Sequence, residues 1–225
     1  MLKVAKTLPL TGIVILGDFG DFVSVTSHSK SPKQRQVALV DELAACNTAL
    51  SELDELDVED RIYIMGNHED RIDRYINDRC PEMAGLIGTD LKDSLHLRDR
   101  GYQVIPYRDH YYHDGVWYTH DTGSAGLNAH RSSLNRYQDT VVIGHTHRMG
   151  FEVKNTIHGT PIIGFMAGWL GDAKACAGYA HTSATATDWT LGFGIARNYY
   201  GTAHIEPVVF DEGYNCFAHG RFFIS

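Results

Sequence analysis

The chain has 225 residues, with 20 Lys and Arg against 28 Asp and Glu, a formal charge of −8 and 43% hydrophobic residues. That hydrophobic share is enough for a sizeable core and excludes wholesale disorder, and at roughly 150 residues per domain the length fits one large domain or two small ones. The acidic balance argues against tight non-specific duplex binding, which needs many phosphate-neutralising cations, and no apolar run reaches the length of a membrane span.

Met1 to Leu8 (MLKVAKTL) reads as the last turns of a helix, which Pro9 ends. Lys3 and Lys6 ahead of Leu8 to Leu16 vaguely suggest a secretion signal, but Pro9 interrupts the stretch and no small-x-small site follows. Gly12 to Leu16 (GIVIL) is a short, wholly apolar run, the pattern of a strand buried on both faces. Leu39, Leu43, Cys46, Leu50 and Leu53 recur at steps of four and three, which puts them on one helix face. Arg61 to Met65 is the next strand and Arg71 to Arg79 the next helix. This alternation implies parallel strands joined by crossovers.

Beyond Gly101 the texture becomes a meander, with strands at Tyr102 to Tyr107, Tyr111 to His113 and Val116 to Thr119. A helix within Ala125 to Tyr137 and strands at Thr140 to Ile143, Phe151 to Lys154 and Pro161 to Met166 follow. Ala167 to Thr187, rich in Ala, Gly and Thr, reads as a lid, an oligomer contact or a mobile loop. Strand texture returns at Leu191 to Ala196, His204 to Val209 and Cys216 to Ile224. Cys46, Cys80, Cys176 and Cys216 form no Cys-x-x-Cys pair, which favours reduced, mostly buried thiols in a cytoplasmic protein.

The chemistry lies at strand ends. Asp18 follows Ile13 to Leu16, Asn67 follows Ile62 to Met65, His120 follows Val116 to Thr119, and His145 follows Val141 to Ile143. Ligands of open α/β sheets bind beyond the carboxyl ends of strands, so strands sharing such a sheet would bring these four side chains to one crevice. His147 stands two residues after His145, and in an extended loop that spacing points both imidazoles the same way. Oxygen and imidazole donors without thiolate suit Zn²⁺, Mn²⁺, Fe or Ni. Asp18 has two oxygens to bridge a pair of ions. Two ions about 3.5–4 Å apart make a hydroxide near neutral pH and clamp both oxygens of an in-line phosphoryl displacement. His68 is placed to protonate the leaving oxygen, with Glu69 fixing its tautomer.

In order, Gly17-Asp18-Phe19-Gly20-Asp21, Gly66-Asn67-His68-Glu69, His120 and Gly144-His145-Thr146-His147 resemble the calcineurin-like metallophosphoesterase superfamily, and Gly66 to Arg74 (GNHEDRIDR) resembles its phage and bacterial branch. The resemblance implies a single α/β domain over residues 1–225, a sandwich of two mixed β-sheets flanked by helices. It implies a metal-dependent phosphoesterase hydrolysing phosphate mono- or diesters through a metal-bound hydroxide, with two divalent ions as cofactors. Asp18 would bridge the ions; Asn67, His120 and His145 would complete one site, and His147 would join the other. His68, supported by Glu69, would be the acid, and Asp21 would orient ligands or a water. The substrate would be a phosphoester such as a nucleotide or a nucleic-acid end, with no membrane partner.

Family members begin with a strand ending in Asp-x-His, whereas Met1 to Leu16 contains neither residue. The chain therefore reads as lacking that first strand and part of a helix. The second metal site is then weakened to Asp18 and His147, short of the three or four ligands usual for zinc. The alternative reading is a degenerate scaffold that binds one metal or none and acts as an interaction module. Among flanking cations, Arg71 and Arg148 are candidates to hold phosphate bidentately, although Arg71 and Arg74 alternate with Asp70 and Asp73 as on a solvated helix face. Of the other histidines, His28 and His130 are the best placed to reach the site.

Overall fold

Residues 1–86, 90–171 and 188–225 are described by a computed structural model, which divides the chain into two units, Val4–Asp109 with Leu2, and His110–Ser225 with Met1 and Lys3. Most of the Ala167 to Thr187 stretch, from residue 172 on, lies outside the described residues, as does Cys176. The other three cysteines are free thiols. No helix among the described residues is long and apolar enough to cross a membrane.

After a short helix α1 (Leu2–Ala5), the first unit runs β1 (Gly12–Ile15), α2 (Leu39–Asp54), β2 (Asp60–Ile64), α3 (Asp70–Arg79), α4 (Leu91–Ser94) and β3 (Gln103–Ile105). Its sheet has the order β1-β2-β3 and is parallel throughout, with Ile15 opposite Tyr63 and Tyr63 opposite Val104. This is the parallel arrangement that the alternation of strand and helix implies: α2 and α3–α4 are the crossovers, because a parallel neighbour cannot be reached by a tight hairpin. In α2 the buried positions are Cys46, Leu50 and Leu53, which keeps the expected face. No glycine caps this helix. Arg61 from β2 donates to the carbonyls of Leu53 (3.3 Å), Asp54 (3.2 Å) and Leu56 (2.6 Å), serving the acceptors that a helix end leaves open.

The expected burial of the first strand on both faces belongs to β2, not β1. Ile62, Tyr63 and Ile64 are buried, whereas all four residues of β1 are only half-buried. An edge strand has a neighbour on one side only, and the apolar run of β1 does not record which strand sits in the middle.

The second unit contains β4 (Tyr111–His113), β5 (Val116–Thr119), α5 (Ala129–Tyr137), β6 (Val141–Ile143), β7 (Met149–Asn155) and β8 (Pro161–Ala167), followed by β9 (Gly192–Tyr199), β10 (Thr202–Val209), β11 (Cys216–Ala218) and β12 (Arg221–Phe223). The first five strands of this unit do not form a plain meander. Their five-stranded sheet has the order β4-β5-β6-β8-β7; β5, β6 and β8 run parallel, and β4 and β7 are antiparallel at the edges. Helix α5 supplies the crossover from β5 to β6, and Ala129 on it packs with Val141, Ile143 and Met166 in a buried cluster. Strands β9 and β10 form one hairpin, and β11 and β12 another. The continuous strand expected over Cys216 to Ile224 breaks at His219-Gly220, whose φ values of 51° and 72° make the tight turn that joins β11 to β12.

Candidate metal centre

In the first unit, the loop after β1 and the loop after β2 are stitched together by one carboxylate. Glu69 is fully buried. Its Oε2 accepts from the backbone N–H of Asp18 and of Gly66, both at 2.8 Å, and its Oε1 accepts from the N–H of Phe19 (2.8 Å) and the hydroxyl of Tyr63 (2.9 Å). Burial first, then the Glu69 charge, pushes the Tyr63 phenol well above its ordinary range, so it remains a donor. The β1–β2 register puts Asp18 beside Gly66. A Cβ on Gly66 would lie 2.5 Å from the Asp18 nitrogen and closer still to Asp18 Oδ1, so only glycine fits.

Asp18 itself has φ +53°. Its Oδ1 accepts from the His68 backbone N–H at 3.0 Å, and its Oδ2 lies 3.8 Å from His68 Nε2. The partner of His68 Nδ1 is Asp21, with Oδ1 at 3.1 Å. Glu69 is therefore not the group that sets the His68 tautomer. Its four hydrogen bonds tie the two loops, and Asp21 faces the ring. Asn67 sits between Gly66 and His68, and its carbonyl accepts from Arg74 at 3.2 Å. The helix face expected to be solvated is so at Arg74, whose side chain is 56% exposed, but Arg71 is buried and donates to the Asp21 carbonyl (2.6 Å) and carboxylate (3.2 Å). Arg71 thus braces Asp21 from behind.

In the second unit, Thr119 at the end of β5 pairs with Ile143 at the end of the parallel strand β6. His120 and the Gly144-His145 turn therefore emerge side by side. His120 is fully buried, and its Nε2 lies 3.1 Å from His145 Nδ1, with the rings at 75°. The Gly144 N–H donates to the His120 carbonyl at 3.0 Å and holds the two loops in step.

The loop carrying His145 and His147 is not extended. Both residues have left-handed backbone, with φ +62° and +57°, so the extended-loop argument for a shared imidazole direction does not apply. Non-glycine residues in this region cost of order 1–2 kcal/mol each, and here, as at Asp18, the cost falls on candidate ligands. The His147 ring stands edge-on to Trp189, with centroids 4.4 Å apart, and stacks on Trp169 at 5.7 Å. The Arg148 side chain is 12% exposed, and its buried Nε makes no hydrogen bond among the described residues; Asp188 Oδ2 is 3.8 Å away.

Of the outsiders, His28 is exposed. His130 is buried on α5, its Nδ1 has no hydrogen-bond partner among the described residues, and burial lowers its pKa. Sequence reasoning missed Tyr63, Trp169 and Trp189. The strand-end rule reaches Trp169, two residues beyond β8, once β8 is known to run parallel to β6; Trp189 gives no such signal. No protein-family model matches this chain, and no curated protein matches it.

Proposed function

We propose that the chain is a metal-dependent phosphoesterase of the metallophosphoesterase type. His120 and His145 would hold one divalent ion, the ion to which the order of the sequence motifs also assigns Asp18 and Asn67, and His147 would serve a second. The observation that carries this reading is the His120–His145 pair: two imidazole nitrogens 3.1 Å apart, one ring fully buried, at the ends of adjacent parallel strands. A carboxylate, an amide oxygen and imidazoles form a donor set that fits Zn²⁺, Mn²⁺, Fe or Ni.

When bound, such ions make water a nucleophile near neutral pH and neutralise charge on the phosphoryl oxygens. The protein's own part is positioning and proton transfer. Glu69 and the Gly66 contact fix the Asp18 loop against the Asn67 loop. With His68 Nδ1 held by Asp21, Nε2 is the nitrogen left to give a proton to the departing oxygen.

The test loads the protein with Mn²⁺, measures bound metal, and assays p-nitrophenyl phosphate and its bis-ester. Turnover that falls about 100-fold or more in His68→Ala, with metal lost in His120→Ala, supports the reading. Bound metal with no turnover of either ester leaves a binding module instead, and absence of bound metal overturns the phosphoesterase reading.

A further inference from the structure

Beside the His145–His147 turn lies a cavity of about 540 Å³, within the range of small-molecule sites. His145 and His147 form one wall, and Leu127 and Trp189 contribute apolar surface; its charged groups are Arg148 and Asp188. Trp189 is locked by neighbours: its ring lies edge-on to His147 at 4.4 Å and meets Trp169 at 5.1 Å and 67°. A rigid indole loses little conformational freedom when a flat ring docks against it. Arg148, mostly buried and 3.8 Å from Asp188 Oδ2, brings positive charge to the same cavity.

We propose that this cavity receives the base of a single nucleotide whose phosphate lies at the histidine turn, with Trp189 as the stacking wall and Arg148 as the anion contact. The assignment deepens the phosphoesterase reading and rests on it for the position of the phosphate. Charge decides between a mononucleotide and a polymer. A nucleic-acid strand requires a cationic groove along its backbone, whereas the cavity lining offers one arginine on a chain of net charge −8.

The experiment compares 5′-AMP with ribose 5-phosphate, which carries an anomeric hydroxyl in place of the base, by calorimetric titration of the Mn²⁺-loaded protein. The expected result is AMP binding about tenfold tighter, the effect of one base–aromatic stack, with the preference lost in Trp189→Ala and kept in Trp189→Phe. Leu127→Ala is a second variant; that side chain is 62% exposed, so its truncation does not threaten folding, and it should weaken the same preference. Equal affinity for the two ligands, or a preference unchanged in both Trp189→Ala and Leu127→Ala, overturns the assignment. The two readings fail separately: turnover of simple esters without base preference sinks only the pocket, and base preference without turnover of any ester sinks only the hydrolase.

Discussion

Asp21 Oδ1 stands 3.1 Å from His68 Nδ1, and the same carboxylate receives Arg71 Nη1 at 3.2 Å. A buried cation thus holds the anion that aims the proposed acid. Asp21→Asn keeps the shape and removes the charge. We expect kcat to fall about 10- to 100-fold, as for other groups that orient a site from behind, while bound metal and KM stay near wild type. Parallel metal analysis and steady-state kinetics check this; a loss of metal equal to the loss of rate would make Asp21 a ligand instead.

Glu69 accepts four hydrogen bonds without any solvent exposure. Glu69→Gln replaces one acceptor oxygen by an NH₂ group that must face two donors. The expected cost is about 2 kcal/mol, because unmet buried donors lose their full desolvation energy. Urea denaturation at neutral pH measures it, and an unchanged midpoint would show that the two loops do not depend on this carboxylate.

Gly66→Ala tests the close approach of the loops. The new methyl would lie 2.5 Å from the Asp18 nitrogen, so Asp18 or the whole Gly66 turn must move. Overpacking of this kind costs about 1–3 kcal/mol, and it displaces a proposed ligand. Bound Mn²⁺ should drop along with thermal stability; a variant that loses stability but holds metal at wild-type affinity contradicts the placement of Asp18.

His130 gives a pH signature. Burial lowers its pKa from the ordinary 6.5, so the folded chain prefers the neutral ring. Between the lowered folded value and 6.5 the unfolded chain binds more protons, and stability therefore rises with pH across that window and no longer changes on this account above it. Chemical denaturation from pH 5 to 8 should show the rise, and His130→Asn should flatten it. A slope of the opposite sign would mean that the ring is charged in the fold.

The parts of the fold visible in the sequence are those set by local pattern. Tyr111–His113 and Val116–Thr119 are strands with the expected limits, and α2 keeps its expected face. Candidate ligands follow the strands as expected because a chain leaving an apolar strand must meet polar residues at its end. The unexpected features depend on partners distant in sequence. Arg71 reads as solvated until Asp21, 50 residues away, is found against it. Glu69 reads as the neighbour of His68 until its bonds to Asp18 and Phe19 turn it toward β1. The pleat of β1 shows that it is apolar, but its place at the sheet edge depends on where α2 returns the chain.

The pairing of Thr119 with Ile143 has a mechanical corollary. If β5 and β6 slipped by one residue, His145 would travel about 3.3 Å relative to His120 and every inward side chain of the moving strand would turn outward. The distance between the two rings therefore works as a vernier on strand alignment: a spectroscopic probe of imidazole–imidazole proximity would report sheet slippage before global unfolding begins.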